Sequence, residues 1–150
     1  MDRREMLHAG ISVVTGAIVI REVPMAEAAE LGSQAAPTTS SRPLGAHPLG
    51  SAFADWQGTM LEVNYPPGVT SASHQHPGPT FGYVVSGKVK WAINGEPAKV
   101  LEAGQSFFEP MGSVHSTSAN ASDTEPAKLS VVILSKPGEP LSKPAGKTGD

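Results

Sequence analysis

The sequence predicts one all-β domain. Short apolar runs separated by turn residues fill the chain from Thr59 onward, a pattern typical of antiparallel sheets rather than of strands alternating with helices. The chain contains 16 Gly and 14 Pro, and both residues are costly inside helices. No window of useful length in this region shows helical periodicity. At 150 residues, the chain is long enough for one ordinary domain with a sizeable core.

Seven strands are predicted, each from an apolar run bounded by turn residues. In the first of them, Leu61, Val63 and Tyr65 alternate with other residues and share one face. Asn94-Gly95 follows the third run and predicts a tight hairpin, because both residues tolerate the positive φ angles that such a turn needs. The predicted strands are Thr59–Tyr65, Phe81–Val85, Val89–Ile93, Ala98–Leu101, Ser106–Glu109, Val114–Ser118 and Ala127–Leu134.

The last predicted strand is apolar on both faces. Leu129, Val131 and Ile133 lie on one face, and Val132 and Leu134 lie on the other. A strand of this kind is buried twice, either between two sheets or at an interface between subunits. A homodimer is therefore one of two explanations for the pattern.

Composition excludes several classes of protein. The chain has 11 basic and 14 acidic residues, so it lacks the excess positive charge of a nucleic-acid binder. It has no cysteine, which excludes disulfide frameworks, thiolate zinc sites, iron–sulfur clusters and a cysteine nucleophile. Any bound metal ion must therefore be coordinated by histidine, carboxylate or hydroxyl groups.

Residues 1–28 predict a cleaved export signal. Arg3-Arg4 precedes an uncharged, largely apolar stretch from Met6 to Ile20, and Ala26-Glu27-Ala28 fits a small-residue cleavage site. The apolar stretch is too short for a stable membrane span. The arginine pair is similar to a twin-arginine signal, whose route carries folded proteins. We therefore expect an exported protein, either periplasmic or extracellular.

The rest of the chain divides by composition. Residues 29–50 are rich in Ser, Thr, Pro and Gly and predict a flexible arm or linker. Residues 51–136 contain the predicted strands and form the β domain. Pro137, Pro140 and Pro144 indicate that residues 137–150 are a flexible tail.

Three of the five histidines have a spacing that suits a metal site. His74 and His76 are two positions apart, so on a strand their imidazoles project to the same face. His115 lies on a later predicted strand and can reach the same ion. Three neutral imidazoles suit iron, zinc, manganese, nickel or copper. An exposed pair of histidines on a solvated strand edge is the structural alternative.

The residues around these histidines resemble the two motifs of the cupin superfamily. The stretch from Gly68 to Gly87 is similar to the first motif, G-x5-H-x-H-x3,4-E-x6-G. The stretch from Gly104 to His115, with Pro110 and Gly112, is similar to the second motif, G-x5-P-x-G-x2-H-x3-N. Asn120 comes one place later than the usual asparagine.

This resemblance implies a small jelly-roll barrel, the double-stranded β-helix, with a divalent metal ion near one open end. Thr80 stands where the family usually has its glutamate ligand, so the implied ligands are His74, His76 and His115 alone. Cupins with three-histidine iron sites include thiol and β-diketone dioxygenases, whereas other cupins cleave flavonols, isomerise sugars or only bind ligands. The resemblance does not choose among these activities.

Glu109 and Tyr83 are the weak candidates for a catalytic role. Glu109 is the carboxylate nearest to His115 in the sequence, although alternation along its strand favours a structural position outside the barrel. Several large apolar residues are expected either to wall a pocket over the metal or to be plain core: Tyr83, Phe81, Phe107, Met60 and Trp91.

The favoured hypothesis is a secreted, metal-dependent enzyme of dioxygenase type that acts on a small oxygen-rich molecule. The alternatives are a cupin that binds a carbohydrate or phenolic ligand without catalysis, and a metal-assisted isomerase or lyase. Because no convincing general base accompanies the histidines in the sequence, the binding alternative stays open.

Overall fold

A computed structural model describes residues 35–53 and 55–146. The predicted export signal lies outside these residues. The described chain is almost entirely β-structure, with one short 3-10 helix at Ser51–Phe53. Its strands are β1 (Ser40–Pro48), β2 (Gln57–Tyr65), β3 (Thr70–Ser71), β4 (His74–Gln75), β5 (Thr80–Ser86), β6 (Lys88–Ile93), β7 (Lys99–Glu102), β8 (Ser106–Glu109), β9 (Val114–Asn120), β10 (Ala127–Ser135) and β11 (Lys143–Pro144).

The strands form two antiparallel sheets. Sheet one has the order β1-β2-β10-β5-β8, and sheet two has the order β11-β4-β9-β6-β7, with β3 paired to β9. Neighbouring strands are often distant in sequence, as when β10 inserts between β2 and β5. This exchange of strands between two sheets is the jelly-roll arrangement that the sequence predicted.

All seven predicted strands are present, as β2 and β5–β10. The hairpin between β6 and β7 is confirmed as well, since Asn94 has a φ of 54° and Gly95 a φ of 75°. These elements were predictable because each alternates apolar and polar residues or ends at a turn with a known conformational requirement.

Two segments expected to be flexible contain strands instead. Ser40–Pro48, within the predicted arm of residues 29–50, pairs along β2 as the edge of sheet one. Lys143–Pro144, within the predicted tail of residues 137–150, pairs with β4. Both strands are mostly exposed and held by backbone hydrogen bonds, so they carry no apolar alternation that a sequence pattern could reveal. The β domain therefore extends beyond residues 51–136 at both ends.

The core lies between the two sheets. Inward-facing residues of β10 dominate it and pack against β2, β5 and β6. This contact leaves β10 buried on its inner face and half-buried on its outer face. The core cluster consists of Leu61, Tyr65, Val84, Val89, Ala127, Leu129, Val131 and Ile133.

Asn120 joins the end of β9 to two other segments. Its buried side-chain amide donates to the carbonyl oxygens of Tyr65, Pro66 and Glu125, at 3.2, 3.1 and 2.7 Å. Its Oδ1 accepts from the backbone N–H of Ser122 at 2.9 Å. All these hydrogen bonds are structural, and they connect the end of β9 to the end of β2 and to the loop before β10.

The outer face of sheet one carries a continuous apolar row. Strand register places Val132 of β10 between Met60 of β2 and Phe81 of β5, and Phe81 beside Phe108 of β8. The rings of Phe81 and Phe108 lie 4.9 Å apart, and both side chains are about half exposed. This row is the candidate surface for the predicted homodimer, because in an isologous interface the same apolar patch of both subunits is in contact.

We expect the protein to sediment at twice its monomer mass and the Phe81→Glu variant to sediment as a monomer. A charge at the centre of the row would have to be desolvated in the interface. Val100→Glu is the matched control, since Val100 is equally exposed but lies in sheet two. A wild-type protein that stays monomeric at high concentration contradicts the prediction.

Candidate metal centre

Three imidazoles converge inside the barrel between β4 and β9. His74 on β4 and His115 on β9 are direct cross-strand partners, and His76 follows β4 by one residue. One ring nitrogen from each of the three lies within 4.8 Å of the others. The predicted juxtaposition of His74, His76 and His115 is therefore observed, and the exposed strand edge is not.

Backbone carbonyls orient two of these rings. His74 Nδ1 lies 2.8 Å from the carbonyl oxygen of Ala72, and His76 Nδ1 lies 2.7 Å from that of Leu141. A carbonyl oxygen only accepts hydrogen bonds, so both Nδ1 atoms carry the proton and both Nε2 atoms keep their lone pair. Outer contacts of this kind fix metal-ligating histidines in their binding tautomer.

His115 Nε2 is buried without a hydrogen-bond partner, whereas Nδ1 of the same ring lies 3.2 Å from Glu109 Oε1. Burial, reinforced by the charges of His74 and His76, lowers the pKa of His115 to about 3. The imidazole is therefore neutral at pH 7 and has an unused lone pair. A buried polar group without a partner is costly, and a metal ion supplies the missing partner. The residues present thus fit a divalent ion.

Glu109 points into this site, which corrects the expectation that it lies outside the barrel. It is almost fully buried, with Oε1 3.2 Å from His115 Nδ1 and Oε2 3.8 Å from His76 Nε2. Trp91 Nε1 donates to Oε1 at 3.2 Å. Burial raises the pKa of Glu109. The site therefore contains a carboxyl group beside the three imidazoles.

The carboxylate of Glu109 comes from β8, the neighbour of the strand on which the resembled motif has its glutamate. Thr80 on β5 is fully buried, lines the cavity and donates its hydroxyl to the carbonyl oxygen of Gly78 at 3.3 Å. Its direct cross-strand partner on β8 is Glu109. The position that lacks a carboxylate thus lies directly beside one that has it.

Tyr83, the other weak catalytic candidate, lies on the outer face of β5. Its side chain is 48% exposed, and its cross-strand neighbours are Ser106 and Ser130. Phe81 and Met60 also face outward. Of the residues expected to wall a pocket, Phe107 lines the cavity and packs on Trp91, with ring centroids 5.5 Å apart.

A cavity of about 470 Å³ opens above the three histidines, a volume suited to a small organic molecule. Its walls are mostly apolar side chains of β2 and β10, such as Leu61, Val63 and Val131. Its polar groups include the histidines, Glu109 and several hydroxyls. A molecule bound there would place its polar end on the metal and its body against hydrocarbon.

Sequence reasoning missed three parts of the site. The Trp91 indole that binds Glu109 was assigned only to the wall or the core, and the Leu141 carbonyl that orients His76 belongs to the predicted tail. The inward direction of Glu109 had a signal, since Glu109 and Phe107 are two positions apart and share a face. No sequence pattern indicates which backbone carbonyl orients a histidine.

Residues 61–133 match a family model described as Cupin domain. The match supports a relation to the cupin superfamily. The matched region includes all three histidines and Glu109, whereas β1 and β11 lie outside it. The candidate metal-site residues therefore lie within the matched region.

The solved structures that are similar to this chain include three of varied origin. An uncharacterised conserved protein with a double-stranded β-helix domain from Klebsiella pneumoniae has a TM-score of 0.48 and 28% identity, over 60% of this chain and 76% of that one. A cupin-like protein from Thermotoga maritima has a TM-score of 0.55 and 20% identity, over 75% and 79%. The DMSP lyase DddQ from Ruegeria pomeroyi has a TM-score of 0.55 and 21% identity, over 75% and 54%.

The likenesses to the Thermotoga maritima protein and to the DMSP lyase bear on the fold alone. The chain spans about half the length of the DMSP lyase. No curated protein matches the sequence. Within residues 35–53 and 55–146, no helix is both long and apolar enough to cross a membrane.

Phe107 packs over Gly82, and this contact supports a stability prediction. A Cβ on Gly82 would lie 2.0 Å from the Phe107 ring, so Gly82→Ala must push that ring toward Trp91 and His115. Overpacking of this kind costs about 1–3 kcal/mol. We expect the melting midpoint to fall by roughly 4–15 °C in a thermal scan followed by circular dichroism.

Gly146→Ala is the matched control, because no atom lies within 4 Å of a Cβ at that position. The double variant Gly82→Ala/Phe107→Leu should recover part of the lost stability. A Gly82→Ala variant that melts with the wild type would show that the ring does not occupy this position.

Proposed function

We propose that the protein is an exported, metal-dependent cupin of dioxygenase type, acting on a small molecule that offers neighbouring oxygen atoms to the metal. The reaction joins both atoms of O₂ to the organic substrate, so it needs no separate reductant. Iron is the proposed ion, and manganese, nickel, zinc and copper are the other ions that three imidazoles accept.

One observation carries the proposal. Three imidazoles converge in one cavity, and the buried Nε2 of His115 has no partner without an ion. Three protein ligands leave coordination positions free for substrate, as in catalytic rather than structural sites. A bound divalent ion supplies Lewis acidity and, when it is iron, one-electron exchange with O₂.

Glu109 is the proton-accepting group in this proposal. An acidic hydroxyl or enol loses a proton when its oxygen binds a metal, and the proton needs an acceptor within the cavity. Glu109 Oε2 faces His76 Nε2 at 3.8 Å, while Trp91 holds Oε1. The carboxylate is thus fixed in place beside the histidines and can accept the proton at Oε2.

The cavity walls position the substrate and exclude water. Leu61, Val131 and Ile133 present hydrocarbon from sheet one, and Phe107 and Leu141 extend it toward the histidines. An apolar enclosure strengthens the electrostatic contacts inside it and protects reactive species from water. The apolar body of the substrate therefore fixes which of its atoms faces O₂.

Oxygen consumption is the direct test. The full chain, loaded with Fe(II) without oxygen, is mixed with a panel of catechols, β-diketones, flavonols and hydroxy acids, and uptake of O₂ is followed. We expect at least one panel member to support uptake, with both ¹⁸O atoms of labelled O₂ in the products. His76→Ala should abolish the uptake, and His47→Ala, an exposed histidine on β1, should leave it unchanged.

The other outcomes contradict the dioxygenase proposal in different ways. Product formation in strict absence of oxygen would identify a lyase or isomerase. Tight ligand binding by the iron-loaded protein with no turnover across the panel would identify a binding protein. Export is tested separately by fractionating cells that express the full chain or its Arg3→Lys/Arg4→Lys variant, since the proposal requires mature protein outside the cytoplasm only for the former.

A further inference from the structure

Two hydroxyl groups meet in the cavity wall away from the histidines. Tyr65 ends β2, Ser118 lies on β9, and the Tyr65 hydroxyl hydrogen-bonds the Ser118 hydroxyl. Both side chains line the cavity, and both residues are only 4% exposed. The metal-centre proposal makes no use of this pair.

One of the two O–H groups has no acceptor within the pair. Each hydroxyl carries a single O–H, and only one of the two can donate to the other. The described residues show no other hydrogen bond from either hydroxyl. The second O–H is therefore available to an acceptor inside the cavity, and leaving such a buried donor without a partner is unfavourable.

The surroundings determine which acceptor fits. Leu61, Val63 and Leu129 also line the cavity, as do the hydroxyls of Ser71, the cross-strand neighbour of Ser118, and Thr39. The charged side chains of the lining, apart from the histidines, are Glu109 and Lys143. Neutral O–H groups beside hydrocarbon cannot compensate for desolvation of an anion. They suit a neutral oxygen, such as a carbonyl or an ether.

The strand geometry sets the spacing from the metal centre. Ser118 lies three residues after His115 on β9, but the register with β6 shifts between them, since His115 pairs with Ile93 and Ser118 with Trp91. This bulge shortens the spacing to about 7 Å along the strand and lets both buried side chains line the same cavity. A molecule held at both places therefore extends along the cavity wall from the histidines to the hydroxyl pair.

We propose that Tyr65 and Ser118 form a second anchor for the substrate, which carries a neutral acceptor oxygen at the end opposite its metal-binding oxygens. This inference rests on the proposed function, because it takes the histidine site as the first anchor. It narrows the substrate class to elongated molecules with an apolar middle, a chelating end and a carbonyl or ether at the other end.

Binding of two matched probes tests the anchor without turnover. The full chain is loaded with zinc, and its affinities for 4-acetylcatechol and 4-ethylcatechol are measured by calorimetry. The probes share the chelating end and nearly the same size, but only the first has a carbonyl oxygen. We expect the ratio of their affinities to fall by about 3–10-fold in the double variant Tyr65→Phe/Ser118→Ala, the usual effect of losing one hydrogen bond.

The affinity for 4-ethylcatechol serves as the folding and metal control, because this probe does not use the anchor. Where the double variant fails to bind it, the two single variants are compared in the same way, and at least one must show the fall. An unchanged affinity ratio in variants that bind 4-ethylcatechol overturns the anchor and leaves the metal centre standing. Failure of the zinc-loaded wild type to bind either catechol overturns the anchor together with the chelating site.

Discussion

Replacing His115 by leucine is expected to abolish metal binding without weakening the metal-free fold. The wild-type protein should bind about one ion per chain, because the three ligands form one site. Loss of one imidazole should lower the affinity by more than about 100-fold, because changes to outer contacts alone cost about 10–100-fold. Metal analysis after gel filtration measures the change, with His47→Leu as the matched control.

The same substitution should leave the metal-free protein at least as stable as the wild type. Nε2 of His115 is buried without a partner, and leucine of similar size removes that cost. A His115→Leu variant that keeps a full equivalent of metal would contradict the site. A large loss of stability in the metal-free variant would instead mark His115 as a structural core residue.

Stability of the metal-free protein should also depend on pH through this residue. Burial lowers the folded-state pKa of His115 from 6.5 to about 3. Between these values the unfolded chain binds a proton that the folded chain does not, so the stability falls as the pH drops from about 6.5 toward 3. In the His115→Leu variant the free energy of unfolding should fall less over this pH range. Urea titrations at several pH values measure the difference.

Glu109→Gln is expected to slow oxygen uptake by about 100-fold or more while the iron content stays near that of the wild type. The amide keeps the shape and can still accept from the Trp91 indole, but it cannot take a proton from the substrate. The measurement uses whichever panel molecule supports uptake by the wild type. Glu102→Gln is the control, since Glu102 is an exposed carboxylate on β7 paired with Lys88.

An uptake rate within about threefold of the wild type would contradict this role, because proton transfer by a positioned side chain is worth about 100-fold or more. Glu109 would then serve only to hold Trp91. Loss of iron together with activity would show instead that the carboxylate is required for metal binding.

Most of the candidate site was predictable from the motifs that resemble those of cupins. His74 and His76 share a face because of their two-residue spacing, and His115 lies on the strand that pairs with that of His74. The shared face follows from alternation, whereas the approach of His115 was implied by the resemblance. The dihedral angles of Asn94-Gly95 were predictable because the turn requires those residue types.

The parts that were not predicted depend on backbone atoms or on the exact register. β1 and β11 are held by backbone hydrogen bonds, which do not depend on an apolar side-chain pattern, so a sequence rich in Ser, Pro and Gly does not reveal them. Glu109 was assigned outward from alternation along Ser106–Glu109, whereas its contacts with Trp91 and His115 explain why it is buried. The predicted tail contributes the Leu141 carbonyl to His76, a contact across 65 positions in sequence.

The central claim is that one divalent ion is bound by the three histidines in the cavity. A crystal of the iron-loaded protein, with data collected on both sides of the iron absorption edge, tests it most directly. The account predicts one anomalous peak about 2.1 Å from His74 Nε2, His76 Nε2 and a ring nitrogen of His115. A peak elsewhere, or no peak in the cavity of a crystal grown with iron in excess, would contradict it.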